Sequence, residues 1–220
     1  MDQYITLEIF GYLQHSDRIK MNTIITCYGS LFENIYELKT DWTFSDKDII
    51  MYKNVTKLNY TVGSSQFNIT DKSIRELKLL TKLKCRYYKN ITDESIKELK
   101  YLTYLDCSNC PNITDESIKE LKYLTHLNCT NCFKITDKSI KDLTRLKTLI
   151  LSPKNIYADD FENDHINYNI SDNSIKELKH LETLVCEYYY NITDESIKGL
   201  KKLTYLDCSN CDRITNGGIK

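Results

Sequence analysis

Apolar residues recur along most of this chain at a fixed interval. From about residue 50 onward, each unit approximates Leu-x-x-Leu-x-Cys-x-x-Cys-x-x-Ile-Thr-Asp-x-Ser-Ile-x-x-Leu. The Ile that opens the Ile-Thr/Ser-Asp/Asn signature recurs every 22 residues, with one interval of 35, at Ile69, Ile91, Ile113, Ile135, Ile170, Ile192 and Ile214. Such self-similarity is typical of a solenoid, in which stacked units complete one another's core. The pattern therefore predicts a repeat architecture with a single insertion of 13 residues.

The spacing of the apolar positions changes within each unit. Leu105 and Cys107 alternate with period two, which indicates a short half-buried strand. The Ile and Leu residues of 118–124 follow at three-residue steps, as on one face of a helix. Thr114 or Asp115 can cap that helix through a side-chain oxygen. Each unit is thus predicted to contain one strand, one turn and one short helix.

The unit Cys-x-x-Ile-Thr-Asp resembles the consensus of the cysteine-containing leucine-rich repeats found behind F-boxes. The resemblance covers about residues 55–220. It implies an α/β leucine-rich-repeat solenoid, with a parallel sheet on the concave face and short helices on the convex side. We expect about seven strands, centred on Leu58, Leu83, Leu105, Leu127, Leu149, Leu184 and Leu206.

The first forty residues carry apolar positions at mostly helical intervals. Ile9-Phe10-Gly11-Tyr12-Leu13 is followed after three residues by Asp17-Arg18, and then by Ile24-Ile25-x-x-Tyr28. This arrangement resembles an F-box, which implies binding to the Skp-family adaptor of cullin–RING (SCF-type) ubiquitin ligases. The adaptor-binding residues would be Leu7, Ile9, Phe10, Leu13, Ile24 and Tyr28. The alternative is that these helices only cap the open end of the solenoid.

The predicted domain organisation is an F-box-like segment with a junction over residues 1–50 and a solenoid over 51–220. Apolar residues near the junction, which spans 36–57, are expected to seal the first repeat: Trp42, Phe44, Ile49, Ile50 and Tyr52. Ser45 or Asp46 can cap a short helix there.

Thirty basic and thirty-one acidic residues give no net field to attract nucleic acid or an anionic membrane. The N-terminal residues lack a basic region followed by an apolar run, and no apolar stretch approaches the length of a membrane span. We therefore expect an intracellular protein, cytoplasmic or nuclear, with no nucleic-acid or membrane partner.

The cysteines allow two interpretations. Cys107-x2-Cys110-x18-Cys129-x2-Cys132 has the spacing of a four-cysteine zinc module. However, these cysteines occupy repeat positions, where a small, weakly donating apolar side chain suits a packed turn. Core cysteines are the favoured interpretation, and zinc or redox chemistry is the alternative. Because no catalytic triad, phosphate-binding loop or metalloprotease motif is present, we expect neither an enzyme nor a cofactor.

Residues that flank the core Leu and Cys positions should form three columns on the concave face, because side chains alternate along a strand. The candidate target-binding residues are Lys82, Lys84, Arg86, Tyr104, Asp106, His126, Asn128, Ile150, Val185, Glu187, Tyr205 and Asp207. Solvated charges without a partner are the alternative interpretation. The early part of this face is basic and the later part mildly acidic, while Ile150 and Val185 should form an exposed apolar pair.

The insertion at 152–169 is acidic and polar, with a few apolar residues that could anchor it. A long loop in a compact repeat is either functional or simply mobile. Its position beside Ile150 and Val185 suggests a partner site.

The whole pattern predicts a substrate receptor that binds an adaptor through its N-terminal helices and an unknown target through the repeat face. The alternative is a stand-alone binding scaffold.

Overall fold

The computed structural model describes residues 37–40, 45–50, 52–60, 69–152 and 169–218. In these ranges eight parallel strands form one sheet in the order in which they occur along the chain. They are β1 (Glu37–Thr40), β2 (Lys57–Tyr60), β3 (Lys82–Lys84), β4 (Tyr104–Asp106), β5 (His126–Asn128), β6 (Thr148–Ile150), β7 (Thr183–Val185) and β8 (Tyr205–Asp207).

The seven predicted strand centres are confirmed, since each lies within one of β2 to β8 and pairs with the equivalent Leu of the next strand. The structure adds β1, whose Leu38 pairs with Leu58. This strand lies in the segment that we interpreted as a junction. The repeat pattern did not indicate it because the Cys and Ile-Thr-Asp signature is absent there.

One short helix precedes each of the strands β2 to β8. The helices are α1 (Asp46–Ile50), α2 (Asp71–Ile74), α3 (Asp93–Ile96), α4 (Asp115–Ile118), α5 (Asp137–Ile140), α6 (Asp172–Ile175) and α7 (Asp194–Ile197). Of the two caps considered for α4, the structure assigns Thr114, whose side chain accepts from the Glu116 N–H. Asp115 is the first helical residue, and its carboxylate does not cap the helix.

The core is a stack of similar layers between the sheet and the helices. In the unit around β4, Leu105, Cys107, Ile118, Leu121 and Leu124 are all fully buried. Leu121 and Leu124 lie beyond the last residue of α4, in the turns that lead to β5. Burying an aliphatic side chain contributes roughly 1.5–3 kcal/mol, so each unit gains most of its stability from contacts that require its neighbours.

A ladder of hydrogen bonds connects the helix starts of consecutive units. The Asp115 carboxylate accepts from the Thr136 amide at 2.8 Å, from the Thr136 hydroxyl at 2.7 Å and from the Ser139 hydroxyl at 2.5 Å. Asp93 receives the same three bonds from Thr114 and Ser117. The Thr-Asp-x-Ser motif, present in most units, therefore holds consecutive units together: its Asp accepts hydrogen bonds from the following unit, while its Thr and Ser donate to the Asp of the preceding one. We call this arrangement the Asp–Thr–Ser ladder.

The insertion leaves the stack intact on both sides. Ile150 of β6 pairs with Val185 of β7 in the same register as every other pair of strands. The ladder also continues across it, since the Asp137 carboxylate accepts from the Ser171 amide at 2.8 Å and the Ser171 hydroxyl at 2.6 Å. The extra residues therefore leave and rejoin the solenoid without changing its repeat.

Several predictions concern residues outside the described ranges and remain predictions. These residues are the F-box-like set (Leu7, Ile9, Phe10, Leu13, Ile24 and Tyr28), Trp42 and Phe44 of the junction, and 153–168 of the insertion. Within the described junction, Ile49 is fully buried and Tyr52 nearly so, and both belong to the core. A short helix begins at Asp46, directly after Ser45.

Candidate functional site

The face of the sheet that is turned away from the core carries the candidate target-binding residues; we call it the open face. Its first two predicted columns are confirmed by the strand register. Lys82, Tyr104 and His126 are consecutive partners in the first column, and Lys84, Asp106 and Asn128 are consecutive partners in the second. Adjacent strands lie about 4.8 Å apart, so side chains in one column are within contact distance of each other.

Lysine side chains contact an aromatic ring at the start of the open face. Lys82 Nζ lies 4.4 Å from the centre of the Tyr104 ring, and Lys84 Nζ lies 5.8 Å from it. The Tyr104 and His126 rings stack, with their centres 5.7 Å apart and their planes at 26°. Cation–π contacts of this geometry stabilise each side chain by roughly 0.5–1 kcal/mol when exposed. These contacts therefore favour one arrangement of Lys82, Tyr104 and His126 before any partner binds.

The expectation that Asp106 faces solvent is wrong. Its side chain is fully buried, and Arg86 covers it, with Nε 2.6 Å from a carboxylate oxygen. The other oxygen accepts from the Ser108 hydroxyl at 2.9 Å. A buried carboxylate requires such partners because an unpaired charge away from water is strongly unfavourable. Asp106 thus holds the Arg86 guanidinium in place and is itself withdrawn from the open face.

The titration of two residues reflects this crowded surface. Burial, followed by the charges of Lys147 and Lys82, lowers the pKa of His126 below its ordinary value. His126 Nδ1 also lies 2.8 Å from the Thr125 hydroxyl. Burial, followed by the charge of Asp106, raises the pKa of Tyr104. At neutral pH the stack is therefore uncharged, and the positive charge here comes from the lysines and Arg86.

A shallow polar depression lies beside Arg86, where β4 and β5 lead into their turns. Its cavity volume is about 90 Å³, and it is lined by Arg86, Tyr87, Ser108, Asn109, Asn128 and Thr130. The backbone at Asn109 is left-handed, with φ of 61°, a conformation that Asn adopts more readily than most residues. The Asn128 side-chain oxygen accepts from the Thr130 N–H at 3.1 Å, so this side chain is turned toward its own turn.

The far end of the open face has a different character. Ile150 and Val185 pair directly but are only half-exposed, so the predicted apolar pair is smaller than a fully exposed one. Tyr205 is 55% exposed on the last described strand. Glu187 is half-exposed, and Asp207 accepts from the Ser209 hydroxyl at 2.8 Å. This end offers mild negative charge and one accessible aromatic ring.

The prediction that the cysteines are core residues is confirmed for seven of the eight described ones, which are buried, whereas Cys208 is partly exposed. Cys110 Sγ lies 2.8 Å from the Cys85 carbonyl, and Cys132 Sγ lies 3.0 Å from the Cys107 carbonyl. The thiols therefore bond backbone carbonyls of the preceding unit. Among the described residues, no group of three or more His, Cys, Asp and Glu side chains is arranged to hold a metal ion.

Solved structures with the same architecture identify the fold. An internalin (inlF) from Listeria monocytogenes matches with a TM-score of 0.54 and 19% identity over 81% of this chain and 48% of that one. An internalin C2 (inlC2) from the same organism matches with a TM-score of 0.61 and 20% identity, covering 86% and 76%. The chain has a leucine-rich-repeat fold.

A third match is the functional domain of InlJ from Listeria monocytogenes, which includes a cysteine ladder; the TM-score is 0.51 and the identity 20%, covering 81% of this chain and 40% of that one. In the present chain, cysteines also recur at one position of the repeat, for example Cys85 and Cys107. It spans about half the length of the first internalin. No family model and no curated protein matches the sequence.

Three features of the structure were not predicted from the sequence. The depression beside Arg86 needs residues from three units, and the Asp–Thr–Ser ladder needs bonds between units. A ridge of exposed apolar side chains also lies in the turns before the strands, formed by Leu79, Tyr101 and Tyr123. These three residues share one position of the repeat, which is the signal that could have revealed the ridge.

Within the described ranges, no helix is both long and apolar enough to span a membrane.

Proposed function

We propose that this chain is the substrate receptor of a cullin–RING ubiquitin ligase, with no catalytic activity of its own. The solenoid holds a target protein on its open face, while the N-terminal segment binds a Skp-family adaptor. The target is then held near the ubiquitin-transfer machinery. The leucine-rich-repeat fold supports the coarser part of this proposal, a scaffold for protein interactions.

The observation that carries the target-binding part is the alignment of outward side chains across the sheet. From β2 to β8, each strand places one residue in each of the first two columns. Solenoids use such extended surfaces to bind partners. Ordered aromatic and cationic groups are also favourable for binding, because little side-chain freedom remains to be lost.

Support for the adaptor-binding part comes from the sequence. The F-box-like residues Ile9, Phe10 and Leu13 recur at the spacing of that motif, and Ile24 and Tyr28 follow in the expected order. The competing proposal, a stand-alone scaffold capped by these helices, assigns the same apolar residues to packing against the first repeat. Both proposals require a folded solenoid, so the two differ only in whether an adaptor binds.

Pull-down of the full chain with a purified Skp-family adaptor distinguishes them. We expect the wild type to bind and Leu13→Asp to lose binding, because a charge in an apolar interface is unfavourable. Circular dichroism should show that the variant keeps its fold. A matched control, Lys82→Gln combined with Lys84→Gln, should bind the adaptor normally because it alters only the open face.

Absence of adaptor binding by the wild type would contradict the ligase assignment and leave the stand-alone scaffold. Loss of binding in both the Leu13 and the open-face variants would show that the assay reports general unfolding. Affinity capture followed by mass spectrometry then identifies adaptor and target together.

A further inference from the structure

The start of the open face carries an excess of positive charge. Lys57 is exposed on β2, while Lys82 and Lys84 are half-exposed on β3. Lys57 and Lys82 are direct partners in the register of the sheet. Within the described part of the chain, no carboxylate forms an ion pair with any of the three. The described lysines that do form ion pairs all lie elsewhere, between the end of a helix and the start of the next strand.

Arg86 adds a directed contact to this positive surface. Its Nε bonds the buried carboxylate of Asp106, while neither terminal nitrogen donates a hydrogen bond to another described residue. A guanidinium held at one edge still presents parallel N–H groups at the other, which suits a carboxylate. Arg86 also lines the polar depression with Ser108 and Thr130. A cavity of about 90 Å³ accommodates a carboxylate, since one water occupies roughly 30 Å³.

A second unit of the chain provides an internal comparison. The block from Cys186 to Cys211 is identical to the block from Cys85 to Cys110 at 22 of 26 positions, yet Glu187 replaces Arg86. There, Asp207 is partly exposed and has no ion pair with a described residue. The buried ion pair and the cationic depression therefore belong to the early part of the open face alone.

The aromatic stack indicates the class of ligand. Lys82 lies over the Tyr104 ring, and His126 stacks on the same ring. Because neighbours from β3 and β5 already occupy Tyr104, little of its ring is left for a nucleobase to stack on. The cationic area spans only β2 to β4, about 10 Å across the strands, and the chain has a net charge of −1. These properties favour a short acidic peptide over a nucleic acid.

We infer that the partner of the open face presents an acidic peptide segment, which binds across β2 to β5. One carboxylate of the segment enters the depression and bonds the terminal nitrogens of Arg86, and its neighbours pair with Lys82 and Lys84. Asp106 is a positioning residue that fixes Arg86. The inference rests on the proposed function, because it specifies the chemistry of the protein that this face binds.

Fluorescence anisotropy with the full chain tests the inference. The probe is a short fluorescein-labelled peptide of alternating Glu and Ser, compared with the same peptide in which Gln replaces Glu. We expect binding of the Glu peptide only, weakening as salt rises from about 0.1 M to about 1 M, where the Debye length falls from about 10 Å to about 3 Å. Lys82→Gln combined with Lys84→Gln should weaken binding about tenfold, since each exposed charge pair contributes about threefold to fivefold.

The matched control is Lys138→Gln combined with Lys201→Gln. Both lysines are exposed and lie outside the open face, so the net charge changes equally while affinity should stay unchanged. Arg86→Lys retains the charge beside Asp106 but loses the paired N–H groups, and should bind about threefold to fivefold more weakly. Circular dichroism of each variant establishes that it is folded.

Three results would overturn the inference: equal binding of the Glu and Gln peptides, equal losses in the open-face and control variants, or tighter binding of a labelled single-stranded DNA at the same lysines. The proposed function is judged separately, from adaptor pull-down and capture of a target. If a target is captured and the Glu peptide does not compete for it, the acidic-segment inference fails alone. If neither adaptor nor target binds, the proposed function fails.

Discussion

Replacing Asp115 by Ala removes one complete rung of the Asp–Thr–Ser ladder. The carboxylate accepts three hydrogen bonds, from the Thr136 amide, the Thr136 hydroxyl and the Ser139 hydroxyl, at 2.8, 2.7 and 2.5 Å. A hydrogen bond to a charged group contributes roughly 1.5–3 kcal/mol. The sum is an upper limit, because some of the donors and acceptors keep other partners after the substitution.

Those remaining partners set the size of the effect. The Thr136 hydroxyl still accepts from the Lys138 N–H at 3.2 Å, and the Ser139 hydroxyl still donates to the Thr136 carbonyl at 3.3 Å. The Thr136 amide loses its hydrogen bond. Asp115 is half-buried, so water reaches part of the site. We therefore expect Asp115→Ala to lower the free energy of unfolding by about 3 kcal/mol.

Equilibrium urea denaturation of the full chain, followed by circular dichroism, measures this loss. Asp115→Asn retains an oxygen that accepts from the Thr136 amide, so it should cost about 1 kcal/mol. Asp142→Ala is the control, because its side chain is 52% exposed and its ion pair with Lys122 is long, at 4.0 Å. The control should change stability by no more than about 0.5 kcal/mol.

An Asp115→Ala variant no less stable than Asp142→Ala would refute the reasoning and show that the rung contributes nothing measurable. Hydrogen exchange gives an independent local check, since the Thr136 amide should exchange faster in Asp115→Ala and at the normal rate in Asp142→Ala.

Three further predictions test other parts of the structure. Deleting residues 155–166 should abolish target binding yet change the free energy of unfolding by less than about 1 kcal/mol, because loop-closure entropy varies slowly with length; binding that survives the deletion would refute a role for the insertion. Because the folded-state pKa of His126 lies below the ordinary 6.5, its contribution to stability is present above pH 6.5 and is lost as pH falls toward the folded pKa. NMR titration should show this lowered pKa, and Lys82→Gln should raise it by removing a positive charge. A thiol reagent followed by peptide mapping should modify partly exposed Cys208 before buried Cys129, whose pKa burial raises; the reverse order would contradict the core assignment.

The repeat period was sufficient to predict strands β2 to β8 and the first two columns of the open face. A residue such as Tyr104 lies 22 positions before its partner His126, so the register follows from the spacing of the Leu residues. The position of each side chain relative to the core follows from alternation along the strand. These properties belong to single units, and each repeat of the unit provides the same evidence for them again.

Features that depend on contacts between particular side chains were not predictable in the same way. Asp106 has the strand position of an exposed residue, but Arg86, two residues beyond the end of β3, covers it. The sequence contains the signal for this, because Arg86 and Asp106 have opposite charges in adjacent units. At the equivalent positions, Glu187 and Asp207 are both acidic and cannot form such a pair. Their comparison would have indicated which of the two aspartates is withdrawn from the surface.

The second role of the helix-start Asp, a bond to the following unit, was not predicted for a related reason. A cap is normally sought within one helix, and Asp115 fits the positive start of α4. Its carboxylate instead bonds the following unit, whose Thr136 is 21 residues away. Helix propensities and capping rules describe residues that are close in sequence, so they do not predict hydrogen bonds at that separation. The repetition of Thr-Asp-x-Ser in nearly every unit nevertheless indicates a role that the units have in common.

The Asp–Thr–Ser ladder also has an evolutionary consequence. Each complete unit carries both the accepting Asp and the donating Thr and Ser, so a unit duplicated in full forms bonds with neighbours on both sides. The 22 identities among 26 positions of the two blocks show how little such copies need to change. Duplication of one unit widens the open face by about 4.8 Å, the distance between strands, while preserving both of its junctions. The width of the open face can therefore be adjusted by gene duplication independently of the chemistry that any one unit presents.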